Sequence, residues 1–470
     1  MALGVPTRPQ TRSVSLMLRT ERPPLDAPER RRLTTSSGLA GLSLDAMASV
    51  AYGPEAIALV LATAGTVGLG FTLPVSAAIV VLLVVLVFSY RQVIRAYPQG
   101  GGSYGVARAR LGRPAALLAA ASLVIDYVLN VAVSVAAGVA ALASAVPETR
   151  PYLVEISLLV LAVITALNLR GLTASAYALA VPTILFVGSV LTVIAVGLLT
   201  GGQPMAPAVP PEATQTVGVL LLLKAFASGC SALTGVEAIA NAVPEFRQPR
   251  VRRAQRTEVI LGVLLGSMML GIAALIEQYG VVPQDGVTVL AQVAEGSLGH
   301  GVGYFLVQGA TVLLLALAAN TSFGGLPTLL CVVARDGYLP AALSRRNERG
   351  VYTVSVLALA ATAAILLVIS GADMNALVPL FAIGVFVGFT IAQAGMVRHW
   401  ILARGTYWQL RAALNGFGAL MTGSAAVVVL AMKFTAGAWT IALVLAVLVG
   451  SMARYRRRRN DVFGVVDNGC

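Results

Sequence analysis

Long apolar runs, separated by short polar loops, dominate the chain from about residue 37 to residue 454. A helix needs about 20 residues to cross the hydrocarbon core of a bilayer, whereas a barrel strand needs about ten and alternates in polarity. The runs here are long and do not alternate, so the pattern predicts membrane-spanning helices, which satisfy every backbone group inside lipid. Twelve spans are predicted, over 37–63, 72–95, 114–146, 151–169, 177–200, 216–243, 255–280, 300–334, 351–371, 374–400, 411–433 and 435–454. Spans 3 and 8 are long enough to imply tilt or extension past the bilayer.

Two spans carry polar interruptions. In the first, "SLDAMASVAYGPEA" (Ser43–Ala56) places Gly53-Pro54 within an apolar run. Proline breaks a helix ladder but is favoured at the first position of a new helix, where the following Glu55 suits the positive dipole end. The pattern therefore predicts two half-helices meeting around Ser49–Gly53. In the sixth span, Ser228, Gly229, Cys230, Ser231, Thr234 and Gly235 interrupt the apolar sequence in the same manner. The breaks lie five spans apart in helices of opposite direction. That is the arrangement of an inverted repeat of five helices plus five, with the substrate site at the unwound midpoints. The repeats are predicted over 37–200 and 216–400, with 411–454 accessory.

Four acids in these spans qualify as site candidates: Asp45, Glu55, Asp126 and Glu237. An intramembrane charge costs about 2.5–3.5 kcal/mol on insertion scales, which makes each a functional candidate. Asp126, Asn130 and Ser134 are spaced by four and share one helix face, with Tyr127 beside them. Thr234 and Glu237 also share a face, and Tyr52 lies near the first break. Asn320, Thr321 and Ser322 sit together in span 8. Carboxylates, hydroxyls, amide oxygens and freed carbonyls are ligands for a dehydrated hard cation. The unwound backbone equally supplies the two poles that an amino acid needs. Bland readings stand beside these. Asp45 can be solvated at a mouth, Glu55 can be a first-turn acid, Asp126 can hold a structural hydrogen bond, and Glu237 can brace the bend. The Asn320 group can be interhelical glue.

Composition narrows the classes. The chain is 57% hydrophobic and 11% charged, against about 25% charged for a soluble domain. Its net charge of +13 invites a nucleic-acid reading, but the basic residues follow topology instead. With the N-terminus in the cytoplasm, all but Arg150, Lys224 and Lys433 of the 33 basic residues fall on the cytoplasmic side. Both termini are thus expected in the cytoplasm of a multi-pass protein of the cell (inner) membrane. Residues 1–36 read as a disordered tail without a signal-peptide h-region, and 455–470 as a short tail. The "RYRRRR" cluster at Arg454–Arg459 reads as a topological anchor that anionic lipid can also bind. Cys230, Cys331 and Cys470 lie far apart, and His300 and His399 fall at the loop ends of predicted spans, so no zinc site, cofactor or disulfide framework is expected. No filter such as "TVGYG" suggests a channel, and no nucleophile–base pair suggests an enzyme.

The phrases "LDAMASVAYGPEAI", "IDYVLNVAVSVAAG", "SGCSALTGVEAIANAVPEF", "AANTSFGGLPTLLCVVARDGYLP" and "ALVPLFAIGVFVGFTIAQAGMVRHW" resemble the amino acid–polyamine–organocation (APC) superfamily, and within it the branch of KimA-type potassium importers. The resemblance spans roughly residues 37–433. It implies a LeuT-type fold and proton-coupled potassium uptake, with a proton-coupled amino acid permease on the same fold as the alternative. It also implies an ion path through Asp45, Tyr52, Asp126, Tyr127, Ser134, Thr234 and Glu237, with the bilayer and a small cation or amino acid as partners and no cofactor. The chain departs from that branch at Asn130, where threonine is usual, and at Phe381, where a tyrosine is usual. The branch's C-terminal domain supports a dimer. This chain ends about sixteen residues after the last predicted span, so a homodimer is an open expectation.

Overall fold

The computed structural model describes residues 32–100, 102–171, 176–201 and 213–467, and Leu33 onward belongs to one unit. Most of the predicted N-terminal tail lies outside the described residues. Among the described residues the secondary structure is helical, apart from two isolated β-bridges, Leu33 with Phe246 and Gln284 with Val287.

The first predicted span is two helices, α1 (Thr35–Leu42) and α2 (Leu44–Ala62). A capping box starts α1: the Thr34 side chain accepts from Ser37 N at 3.2 Å, and Ser37 Oγ accepts from Thr34 N at 2.8 Å. The break between them is at Ser43, whose hydroxyl turns back to Leu39 O. This corrects the prediction of a break at Ser49–Gly53, because α2 runs unbroken through Gly53 and Pro54. Pro54 removes one N–H from the ladder, and packed membrane helices tolerate such a loss. The sixth span packs closely enough to hold α2 in shape. A Cβ on Gly53 would come 2.6 Å from Ala232 Cβ, and Ser49 Oγ lies 2.7 Å from both Ala46 O and Ala232 O.

After the short α3 (Gly65–Leu69), the first half continues as α4 (Thr72–Ala96), α5 (Gly102–Arg110), α6 (Arg113–Ala145), α7 (Leu153–Leu169) and α8 (Ala176–Thr200). The most apolar window of α6 is 83% buried, whereas that of the span containing α7 is 22% buried. Thus α6 sits inside the protein and α7 offers most of its surface to lipid.

The sixth span is built from α9 (Val219–Gly229), a 3₁₀ turn at Cys230–Leu233, an irregular stretch, and the short α10 (Ala238–Asn241). There follow α11 (Arg250–Tyr279), α12 (Val289–Leu298), α13 (Val302–Arg335), α14 (Thr353–Ile369), α15 (Met374–Ala403), α16 (Trp408–Met432) and α17 (Trp439–Asp467). Glycines let α13 and α15 close on α6. Gly138 faces Leu315, the Tyr127 ring lies against Gly325, and Gly384 lies against the backbone of Ser122 and Asp126.

Eleven helical stretches among the described residues are long and apolar enough to cross a membrane. The predicted ninth span is the shorter α14, of 17 residues. α12 lies in a predicted loop, its first turn capped by Thr288. The last helix also differs from expectation, continuing to Asp467 where a tail was predicted from residue 455. Arginine is a good helix former, and the extension is docked. The Arg456 guanidinium sits 4.5 Å above the Tyr338 ring and donates to Asp336 O at 3.4 Å. Asp336 also receives the Tyr104 hydroxyl at 2.5 Å and pairs with Arg108 at 2.7 Å. Burial, then the Asp336 carboxylate, pushes the Tyr104 hydroxyl above the usual tyrosine range, so it remains a donor.

Candidate functional site

The break in the sixth span forms because its residues cannot all continue a helix. Thr234 is extended, with φ −64° and ψ 156°, and Gly235 follows at φ +76°, a left-handed conformation that suits glycine. Gly235 is needed for a second reason. A Cβ there would come 2.6 Å from Ala46 N and 2.9 Å from Asp45 Oδ2. The unwound segment therefore lies directly on the first turn of α2.

That contact gathers the predicted residues. Asp45 lies in the first turn of α2, and Tyr52, fully buried two turns further on, brings its hydroxyl to 3.4 Å from Thr234 Oγ1. Glu237 follows the break and accepts the Tyr90 hydroxyl at 3.2 Å through Oε2. Asp126 projects from α6 into a small cavity shared with Glu237, Gly235, Ser122, Gly384 and Phe389. The cavity has room for about one water-sized species. Asp45, Asp126 and Glu237 lie within electrostatic reach of one another.

Partners separate these carboxyls from ordinary structural acids. Asp45 Oδ1 and Asp126 Oδ1 are buried and accept no hydrogen bond among the described residues. None of the three acids forms an ion pair with a lysine or arginine there. Burying unpaired carboxylate oxygens is costly, so this arrangement suits a bound cation or proton.

Asn130 and Ser134 belong to a separate buried network on the same α6 face. Ser134 Oγ donates to Asn130 Oδ1 at 3.1 Å, and Asn130 Nδ2 donates to Ser322 Oγ at 2.9 Å. Asn320 Oδ1 instead accepts from Asn168 Nδ2 at 2.6 Å, joining α13 to α7, and Thr321 Oγ1 turns back to Ala318 O. Asn320 and Thr321 thus serve interhelical and local bonds, while Ser322 reaches Asn130. Glu55 also stands apart, ten residues along α2 from Asp45. Its Oε2 accepts Val289 N at 2.9 Å, capping α12. This is the scaffold reading of Glu55.

Sequence inspection passes over Tyr90, Ser122 and Gly384. Tyr90 precedes Arg91 near the end of a span and reads as an interfacial tyrosine. Its link to Glu237 crosses 147 residues of sequence.

Buried carboxyls at an interrupted membrane span, set among mostly apolar helices, suit a multi-pass membrane transporter. The amino acid permease family model matches residues 39–452, and the chain belongs to this family. It is also similar to the potassium transporter KimA of Bacillus subtilis (strain 168), at 42% identity over 424 residues, covering 89% of this chain and 70% of that protein.

Proposed function

We propose that the protein is a secondary transporter that takes up potassium coupled to protons. The observation carrying this reading is the set of three buried acids at the sixth-span break, two of them with an unpartnered oxygen and none with a basic partner. A monovalent cation held by Asp45 and Asp126, with the oxygens of Tyr52 and Thr234 alongside, satisfies them without a fixed counter-charge. Tyr127 borders this path on α6, with Asn130 and Ser134 one and two turns further on. Glu237, already hydrogen-bonded by Tyr90, carries the coupling proton. The named likeness to a potassium transporter supports the choice of ion.

In this reading the chain crosses the membrane twelve times, with α14 as the ninth span. Spans 1–5 and 6–10 form inverted repeats of the LeuT type, and α16 and α17 are accessory. Both termini face the cytoplasm of the inner membrane, as the arginine distribution requires. One charge crossing 100 mV gains about 2.3 kcal/mol, enough for roughly fifty-fold accumulation, and a coupled proton extends it.

The test is radiotracer uptake into proteoliposomes. Saturable rubidium uptake that rises with an inward proton gradient is expected. Leucine or glutamate uptake without rubidium flux would replace this reading with a proton-coupled amino acid permease on the same fold.

A further inference from the structure

One buried acid takes no part in the site described above. Glu258 lies in α11, about two turns from its arginine-rich start, and is fully buried. Neither Oε1 nor Oε2 has a hydrogen-bond partner among the described residues.

Its neighbours follow from the packing of α11 on α4. Gln255, Glu258 and Gly262 share one face of α11. Gln255 Nε2 donates to Arg91 O at 2.8 Å, and a Cβ on Gly262 would come 2.6 Å from Val87 Cγ2. By register, Glu258 lies between these two contacts, opposite the turn of α4 that carries Tyr90. The Tyr90 hydroxyl donates to Glu237. Tyr90 thus stands on the stretch of α4 that separates Glu258 from Glu237, bonded to Glu237 and not directly to Glu258. On the cytoplasmic side, Thr257 Oγ1 bonds Thr35 O at 3.3 Å, so α1 packs beside this position.

The charged groups around Glu258 offer it no fixed partner. On α4, Arg91 has its guanidinium 5.7 Å from the Phe88 ring and makes no ion pair with Glu258. On α11, Arg252, Arg253 and Arg256 are neighbours in sequence, and none is paired with Glu258. The part of the sixth span after its break and the 3₁₀ turn Val243–Glu245 that follows it contribute two further acids, Glu237 and Glu245, and no base, while α1 has no titratable side chain. A fully buried, unpartnered carboxyl in such surroundings fits the neutral acid, a proton already in place.

We propose that Glu258 is a second proton-carrying carboxyl, cytoplasmic to the ion site, which exchanges its proton with Glu237 by way of one water and the Tyr90 hydroxyl. The water takes the Glu258 proton as it gives one of its own to the phenol oxygen, and the phenol gives its hydroxyl proton to the Glu237 carboxylate. Water and phenol are both regenerated, and one proton has moved between the two carboxyls. Glu258 then gives its proton to the cytoplasm when α1 moves from Thr257. The inference rests on the transport reading, and it assigns the intracellular end of the proton's route.

The experiment uses the full chain in proteoliposomes and two rubidium assays. One measures accumulation driven by an inward proton gradient, with a pH dye inside the vesicles. The other measures rubidium exchange at equal pH, which needs cation binding but no net proton movement. Glu258→Gln is expected to lose gradient-driven accumulation and proton influx at least tenfold, while exchange stays within about twofold of wild type. Tyr90→Phe should also lose gradient-driven accumulation, and Glu258→Asp, which retains a proton carrier, should recover part of the accumulation. Unchanged accumulation in Glu258→Gln overturns the proposal. So does parallel loss of both activities in Glu258→Gln and Glu258→Asp in folded, monodisperse protein. If wild type moves leucine but no rubidium, the potassium reading fails separately, and leucine accumulation against leucine exchange scores Glu258 by the same split. Wild type that moves neither overturns both.

Discussion

Gly235 and Asp45 touch: a side-chain carbon on Gly235 would lie 2.9 Å from Asp45 Oδ2. The two residues are far apart in sequence, and their contact joins the break in the sixth span to the first turn of α2. Gly235→Ala therefore meets two penalties at once. The left-handed backbone costs a β-carbon about 1–2 kcal/mol, and the new atom collides with Ala46 N. A lower unfolding temperature in detergent and at least a tenfold loss of rubidium uptake are expected. Wild-type uptake by this variant would show that the contact is dispensable.

Asp126→Asn keeps the shape of the side chain and removes its charge. Transport is expected to fall roughly a hundredfold, because an amide cannot offer a second anionic oxygen to a cation. Membrane insertion and size-exclusion behaviour should match wild type. Unchanged uptake would remove Asp126 from the mechanism.

Glu55 should behave differently from Asp126, although both are buried acids. Glu55→Gln keeps an acceptor for Val289 N, and uptake should stay within about twofold of wild type. Glu55→Ala removes the cap on α12 and should cost about 1–2 kcal/mol in thermal unfolding. A hundredfold loss of transport in Glu55→Gln, with normal stability, would return Glu55 to the ion path.

The two asparagine networks give a further contrast. Asn130→Ala leaves Ser134 and Ser322 without their shared partner and should destabilise the fold by about 1–3 kcal/mol. Asn320→Ala breaks one bond to Asn168, worth about 0.6 kcal/mol by membrane-protein measurements. Its uptake should not change. Parallel unfolding and uptake measurements decide both.

Much of this was readable from one-dimensional pattern. The third span, predicted at 114–146, is α6 at Arg113–Ala145, because a long apolar helix needs no partner to declare itself. The sixth-span break was equally legible, since Thr234-Gly235 disrupts a helix locally. The first-span break was misplaced for the opposite reason. Gly53-Pro54 looks like a stop, yet packing against Ala232 carries the helix through it, while the real interruption at Ser43 has no strong breaker. Glu55 and Asp126 looked alike in sequence and parted only when Val289 N appeared beside one of them. Glu258 lay close to a cluster of arginines and resembled the solvated edge of a span; the helix face it shares with Leu261, Leu265 and Ile272 was the available signal.

The glycines that close α13 and α15 onto α6 also constrain how this protein can diverge. With Gly325 against the Tyr127 ring and Gly384 against the Ser122 carbonyl, there is little slack for a larger residue where α13 and α15 meet α6. A lineage that changes its preferred cargo must do so by swaps of nearly constant volume on that helix, such as aspartate for asparagine. Otherwise it must remodel the wall formed by α2 and the broken span. Random mutagenesis of α6 should accordingly return few variants with a new substrate and many that never reach the membrane.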